Sequence, residues 1–228
     1  MVVKSFTLSF MKKIIPVLPS ELIVLDKPFE NFIEEIRTQE RDIESVHFSN
    51  LEVTHEDLSK LDFKGVLFDN CKFVDCDFSK SSFMNVYSAN SNFSNCLFEN
   101  AYLKKCYFNS SKMTGFTGAQ SLIEDSYFKD CHMKYAHFAG AKISKSTFNH
   151  CNLQESDFSE AEFKTVQVGE VDFESASFFK AVLGGMDFST SYINGITLSK
   201  EMRELKGVTL NQLQACEIAK FLGINLVP

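Results

Sequence analysis

Large apolar residues recur every five positions over most of this sequence. Steps of five from Phe48 to Leu198 give 31 positions, of which 17 are Phe and 12 are Leu, Ile, Val or Met. Two positions before each of them, 20 of 31 residues are Ala, Ser or Cys. No insertion interrupts this frame. The chain therefore repeats one unit of the form small–polar–large–polar–polar.

A period of five fits neither the turn of an α-helix nor the alternation of a plain strand. It fits a coiled backbone that turns a corner once per unit and points the large and small residues inward. From Leu103 to Leu153 every tenth residue is aliphatic, whereas the centres between them are Phe except at Gly118. Only an even number of faces keeps these columns separate, and four faces is the smallest closed solution. The sequence therefore predicts an all-β solenoid of about 7–8 coils.

Two centres depart from the large apolar type. At Gly118 the large residue is displaced to Phe116, which occupies the small position. Either the two residues exchange volume within one layer of the core, or the backbone forms a local bulge. Ser88 is predicted to mark a similar local adjustment.

Residues 1–45 precede the repeat and are predicted to form an extension and a cap. A helix is expected from Lys27 to about Thr38, with Asp26 as its N-cap and Pro28 in its first turn. This helix would cover the exposed strand edges of the first coil. Its apolar stripe consists of Phe29, Phe32, Ile33 and Ile36.

Residues 199–228 follow the solenoid, which spans 46–198, and are predicted to be a helical cap and dimerisation tail. Ser199 is expected to cap a short helix through Leu205, closed by Gly207, and Asn211 to cap a second one ended by Gly223. The apolar face expected to cover the last coil is Ala215, Ile218, Ala219 and Leu222. Surplus apolar residues indicate association, hence a homodimer, unless the tail folds onto its own cap. The predicted interface is Leu213, Phe221, Ile224, Leu226 and Val227.

The cysteines and histidines indicate no catalytic or metal chemistry. Six of seven Cys occupy the small inward position and are predicted to be buried thiols rather than disulfides: Cys71, Cys76, Cys96, Cys106, Cys131 and Cys151. Cys131-His132 and His150-Cys151 resemble a zinc quartet, but the register points each Cys inward and each His outward. We expect no cofactor and no enzyme activity, since no catalytic constellation is present.

Charge is divided along the sequence. The net charge of −7 argues against direct nucleic-acid binding. No apolar run is long enough for a membrane span or a signal peptide, so a cytoplasmic location is expected. Residues 100–148 have a net charge of +4, whereas 152–174 have −6. The predicted partner-binding surface is the acidic set Glu155, Asp157, Glu160, Glu162, Glu170, Asp172 and Glu174.

The repeat resembles the pentapeptide-repeat family, whose pattern is A(D/N)LXX. Cys76-Asp77-Phe78-Ser79-Lys80 and Ser156-Asp157-Phe158-Ser159-Glu160 fit it closely. The resemblance covers residues 46–198 and implies a right-handed quadrilateral β-helix.

The C-terminal segment is similar to that of the Qnr-type and MfpA-type quinolone-resistance members. The matching residues are Gly207-Val208-Thr209-Leu210, Gln214-Ala215 and Leu222-Gly223-Ile224. This resemblance implies tail-to-tail dimers that mimic B-form DNA and bind DNA gyrase or topoisomerase IV. The uninterrupted frame leaves no room for the projecting loops of the Qnr type and is closer to the MfpA type, which is associated with gyrase inhibition as much as protection. The alternative is a protein–protein interaction scaffold unrelated to topoisomerase.

Overall fold

The repeat winds the chain into a parallel β-solenoid with four faces. The computed structural model describes residues 16–225. Strands pair with the strand 20 residues ahead, as in Leu103 with Ile123 and Phe108 with Phe128. The register repeats in seven steps along one face, from Ile43 to the bridge between Glu162 and Val182. The β-solenoid fold and its 20-residue coil are thus confirmed, and the first core position lies one unit before Phe48.

The faces are numbered by the centres of their five-residue units. Face 1 runs from Ile43 in steps of 20 and holds Ile43–Glu44 (β2), Asp62–Lys64 (β5), Ser82–Met84 (β8), Tyr102–Lys104 (β10), Leu122–Glu124 (β12), Lys142–Ser144 (β14) and Glu162–Lys164 (β16). Face 2 runs from Phe48 and holds Val46–Ser49 (β3), Leu67–Asp69 (β6), Tyr87–Ala89 (β9), Tyr107–Asn109 (β11), Tyr127–Lys129 (β13), Thr147–Asn149 (β15) and Gln167–Gly169 (β17), with Ile23–Val24 (β1) added at its edge. Face 3 runs from Val53 and contains Glu52–Thr54 (β4) and Lys72–Val74 (β7), then single bridges; face 4 runs from Leu58 and is built from bridges.

The inward columns form one continuous core. Phe rings stack along face 2, where Phe108, Phe128 and Phe148 have ring centroids 5.2 and 4.8 Å apart. The opposite face 4 has the same stacking in Phe138 and Phe158, 5.1 Å apart. The prediction that the Phe centres from Phe98 to Phe158 occupy two opposite faces is correct.

The Phe116 ring fills the space that Gly118 leaves in the core, as one of the two interpretations of the sequence predicts. The Phe116 ring is buried, and a Cβ on Gly118 would lie 2.9 Å from its Cε1 atom. The bridges from Thr117 to Leu97 and His137 keep the 20-residue register, so the backbone has no bulge there. At the other irregular centre, Ser88 is fully buried.

The corner of each unit is a residue in the left-handed backbone region. Every fifth residue from Glu40 to Gly185 has a positive φ. Such a conformation costs an L-residue about 1–2 kcal/mol, and Asn, Asp and Gly adopt it most readily. Thr165 has φ 58°, and this conformation is more strained for Thr than for Asn because the Thr side chain is β-branched.

Replacing Thr165 with Asn is therefore expected to raise the free energy of unfolding by about 1 kcal/mol. Asn85 lies at the same corner four coils earlier, with φ 54°, and Asn85→Thr should lower it by a similar amount. Urea unfolding followed by circular dichroism measures both changes. Equal stability of the three proteins would contradict the assignment of strain to Thr165.

The N-terminal cap is a helix, Phe29–Thr38 (α1), that lies over the first coil. The Phe29 ring contacts the rings of Phe48 and Phe73, at centroid distances of 5.9 and 6.1 Å. The predicted end of the helix is correct, but the predicted start at Lys27 is wrong. Pro28 is the N-cap, and Asp26 does not cap. The extended conformation of Pro28, with ψ 139°, breaks the helix before Phe29.

The C-terminal segment differs from the predicted pair of capped helices. Arg203–Leu205 forms only one 3₁₀ turn, and Ser199 does not cap it. Instead, the Ser199 N–H and hydroxyl both donate to the buried Glu204 carboxylate, at 2.9 Å each. The second helix, Gln212–Phe221 (α2), has Asn211 as its N-cap, as predicted.

Candidate partner-binding surfaces

The buried contacts between α2 and the last coil are mainly polar. Gln214 is the one buried residue of this helix. Its side-chain amide donates to the carbonyls of Phe188 and Ser191, at 2.8 and 2.7 Å, while its oxygen accepts from the Asn211 N–H at 2.8 Å. The prediction that an apolar face of α2 covers the last coil is therefore wrong in part, because Ala215 and Leu222 are exposed. The last coil presents carbonyl groups that require donors, which apolar side chains cannot supply.

Much of the apolar surface of α2 and the residues after it is left uncovered. The exposed fractions are 78% for Leu213, 62% for Phe221, 57% for Leu222 and 51% for Ile224. Leu213 and Phe221 are eight residues apart, about two turns, and share one side of the helix. Three of the five predicted interface residues are thus at the surface, and Leu226 and Val227 lie outside the described residues. Leu222 joins them, which its position in the expected buried stripe did not indicate.

Four residues of the acidic set lie around one corner of the solenoid. This acidic corner consists of Glu155, Asp157, Asp172 and Glu174, between faces 3 and 4 in two adjacent coils. The Glu155 N–H donates to the Glu174 carbonyl at 2.9 Å. The Gln154 amide donates to the carboxylates of Asp172 and Glu174, at 2.8 and 3.0 Å.

The other three acidic residues lie elsewhere on the coil. Glu160 is at the corner of faces 4 and 1, Glu162 is on face 1, and Glu170 is at the corner of faces 2 and 3. A segment of more than 20 residues makes a full circuit, so residues close in sequence are spread over all faces. Numbering the residues in steps of 20 would have shown this separation from the sequence.

Lysine side chains neutralise part of the acidic set, and a histidine lies near another of its members. Lys134 Nζ lies 3.0 Å from Glu155, Lys142 Nζ lies 3.9 Å from Glu162, and His150 lies 3.5 Å from Glu170. Within the described residues, no ion pair involves Asp157, Glu160, Asp172 or Glu174. The acidic corner therefore keeps more negative charge than the rest of the set.

The seven lysines of residues 100–148 are distributed over three faces. Face 1 and its corners carry Lys104, Lys105, Lys142 and Lys145, face 2 carries Lys129, and face 3 carries Lys112 and Lys134. Lys104 and Lys129 each lie within ion-pair distance of a carboxylate, at 3.7 Å from Glu124 and 3.1 Å from Asp130.

The inward cysteines are buried free thiols. Burial raises the pKa of the Cys106 thiol to about 12, so the reactive thiolate is disfavoured. Cys131 is buried while His132 is exposed, and His150 and Cys151 differ in the same way. In residues 16–225, no group of three metal-ligating side chains is assembled. Across that range, too, no helix has the length and apolar character to cross a membrane.

Together these features define a class: a four-faced parallel β-solenoid, closed by a helix at each end, with exposed apolar and acidic surfaces at its C-terminal end. Residues 121–198 match the family model described as "Pentapeptide repeat region". This part of the chain is therefore a pentapeptide repeat region.

A solved structure shares this fold. The structure of full-length QnrB1, described as a plasmid-mediated fluoroquinolone resistance protein, is 20% identical, with a TM-score of 0.54; the match covers 78% of this chain and all of that one. The pentapeptide-repeat protein HetL from the cyanobacterium Nostoc sp. strain PCC 7120 is 11% identical, with a TM-score of 0.32, and the match covers 82% of this chain and 98% of that one. No curated protein matches the chain.

Proposed function

We propose that this protein is a non-catalytic, cytoplasmic binding protein that dimerises through α2 and modulates a type II topoisomerase, DNA gyrase or topoisomerase IV. The exposed apolar side chains at its C-terminal end carry the proposal. The resemblance of residues 207–224 to quinolone-resistance members supports it, as does the fold shared with QnrB1, a fluoroquinolone resistance protein.

Dimerisation would remove the exposed apolar residues from water. Full burial of a Leu, Ile or Phe side chain contributes about 1.5–3 kcal/mol. Leu213, Phe221, Leu222 and Ile224 together provide enough of this energy to offset the entropy that two chains lose on association. Because the buried contacts of α2 are mainly polar, the helix can keep its place on the last coil while its apolar side packs against a second copy.

The double variant Phe221→Asp/Ile224→Asp is expected to be monomeric, because a buried interface does not tolerate unpaired carboxylates. Light scattering after size exclusion should give about twice 25.9 kDa for the unchanged protein and about 25.9 kDa for the variant. Leu97→Asp/Leu122→Asp is the matched control, since these residues are exposed on the solenoid. A monomeric unchanged protein would contradict the dimer.

The acidic corner is the surface that we propose to contact the topoisomerase. Duplex DNA carries one negative charge per about 1.7 Å, and a DNA-binding enzyme has a basic surface to match it. Four carboxylates in adjacent coils, which are about 5 Å apart, form a patch of similar density. The patch is short, because Lys134 and the lysines of the preceding coils interrupt it. The proposal therefore requires a local contact rather than an imitation of DNA along the whole solenoid.

Plasmid supercoiling by gyrase, with and without a fluoroquinolone, tests this contact. Micromolar protein should inhibit the enzyme or relieve the drug, and Asp157→Asn/Asp172→Asn/Glu174→Gln should abolish the effect. Asn keeps the Oδ1 acceptor with which Asp157 and Asp172 accept turn N–H groups. The matched control is Glu30→Gln/Glu34→Gln/Glu44→Gln, which removes three exposed charges at the opposite end. The absence of any effect on gyrase and topoisomerase IV would contradict the proposal and favour a scaffold for another protein.

A further inference from the structure

Different groups of the C-terminal segment bond to the backbone of the last coil at different positions around it. On face 2, Thr209 adds an extended residue: its N–H donates to the Met186 carbonyl and its carbonyl accepts from Phe188, both at 2.9 Å. At the corner of faces 4 and 1, the Glu204 carboxylate accepts from the Lys180 N–H at 2.7 Å. These groups take the place of the coil that would follow.

Within residues 16–225, no such group bonds to the edge of face 1. Val182 donates to the Ala161 carbonyl and accepts from the Phe163 N–H, both at 2.8 Å, so one residue bonds to both neighbours of Glu162. If another coil followed, its residue at this position would donate to the Ala181 carbonyl and accept from the Leu183 N–H. In the part of the chain that the structure describes, neither group has a hydrogen-bond partner. Such an edge is a template for one more strand.

An open cavity of about 630 Å³ lies along this edge. One wall is the edge segment 181–184, which bridges to face 1 at Val182, and the other belongs to the segment 199–206 that crosses the end of the solenoid. We call this cavity the edge slot. Val182 is 57% exposed beside it, so the slot offers an apolar contact as well as unpaired backbone groups.

The ionic groups of the edge slot favour an acidic occupant. Three cationic residues line it, Lys180, Arg203 and Lys206, against Glu201 and Glu204. The Glu204 carboxylate is buried and already bonded to donors of its own chain. The ionic residues that line the slot therefore have a net charge of +1, three cations against two carboxylates. This local excess of positive charge contrasts with the net charge of −7 of the whole chain.

We propose that the edge slot binds an extended acidic peptide segment of a partner protein as an additional parallel strand on face 1. The central residue of the peptide donates its N–H to the Ala181 carbonyl and accepts from the Leu183 N–H. Carboxylates on either side of it face the cationic side chains, and apolar side chains pack beside Val182. This mode of recognition takes its affinity from main-chain hydrogen bonds and its specificity from the flanking side chains. The site is separate from α2 and the acidic corner.

Fluorescence anisotropy of labelled peptides on the full-length protein tests the proposal. The probes are four heptapeptides, Asp-Glu-X-Val-X-Glu-Asp, in which X is Val, Ile, Thr or Ser. At least one should bind, and N-methylation of its central Val should weaken binding about tenfold, because it removes the donor to Ala181. Lys206→Glu should weaken binding roughly fivefold, whereas Lys200→Glu, outside the slot, should not.

Amide exchange measured by NMR provides a second readout. The bound peptide should slow exchange of the Leu183 N–H. Equal binding of the N-methylated peptide, unchanged exchange at Leu183, or no binding by all four peptides at about 1 mM would overturn the proposal. Dimers that are broken by Lys206→Glu would also overturn it, since the slot would then belong to a second copy of the chain.

Discussion

Phe128→Ala is expected to lower the free energy of unfolding by about 3–5 kcal/mol. The Phe128 side chain is fully buried, and its ring stacks between Phe108 and Phe148 with interplanar angles of 3° and 6°. Removing the ring leaves a cavity that the fixed inter-coil hydrogen bonds prevent from closing. Each coil contacts only its neighbours, so the loss falls on the middle of the solenoid and uncouples its two ends.

Urea unfolding followed by far-ultraviolet circular dichroism measures this loss. Phe179→Ala is the matched control: this side chain points outward and is 39% exposed, so the change should be below about 1 kcal/mol. A similar small loss for Phe128→Ala would show that the stacked column contributes little to stability.

Glu204→Gln is expected to lower the free energy of unfolding by about 2 kcal/mol. Its carboxylate accepts from the Lys180 N–H, the Ser199 N–H and the Ser199 hydroxyl at 2.7–2.9 Å. An amide replaces one acceptor oxygen with a donor, which leaves at least one buried N–H or O–H unsatisfied. Glu201→Gln is the matched control, because Glu201 is exposed.

The same carboxylate predicts a dependence of stability on pH. Burial raises the pKa of Glu204, but hydrogen bonds from backbone N–H groups and the Ser199 hydroxyl outweigh it, and its pKa lies below the ordinary 4.5. Because the folded-state pKa is the lower one, this contribution is present above pH 4.5 and is lost as the pH falls through the folded value. Urea unfolding between pH 6 and pH 3 should show a smaller decrease for Glu204→Gln than for the unchanged protein. Parallel curves would contradict the role of the ionised carboxylate.

The interior of the solenoid could be predicted because it follows from the repeat alone. A five-residue period determines which side chains point inward, and the columns of Phe and aliphatic residues require an even number of faces, of which four is the smallest closed solution. Even the irregular pair Phe116 and Gly118 obeys volume conservation within one layer. The left-handed corners accept so many residue types that their composition, from Asn85 to Thr165, predicts them only weakly.

The two ends could not be predicted to the same depth. Helix propensity placed caps at Asp26 and Ser199, but the geometry of the coil beneath selected Pro28 and turned Ser199 toward Glu204. Hydrophobic periodicity predicted an apolar seat for α2, yet the carbonyls of the last coil required the amide of Gln214. Some of their contacts are local, since Glu204 accepts from Ser199 and Gln214 forms a capping box with Asn211. Their contacts with the solenoid could not be predicted, because Lys180 and Phe188 lie more than 20 residues away in sequence.

The sequence by itself determined the solenoid, because every unit meets the same neighbours and one local rule can be repeated along the chain. The tertiary structure decided which surfaces are available for binding. It gathered Glu155, Asp157, Asp172 and Glu174 at one corner, dispersed the other carboxylates, and left the edge of face 1 without a described partner. These outcomes depend on how the coil winds and where it stops, and both place residues side by side that are distant in the chain.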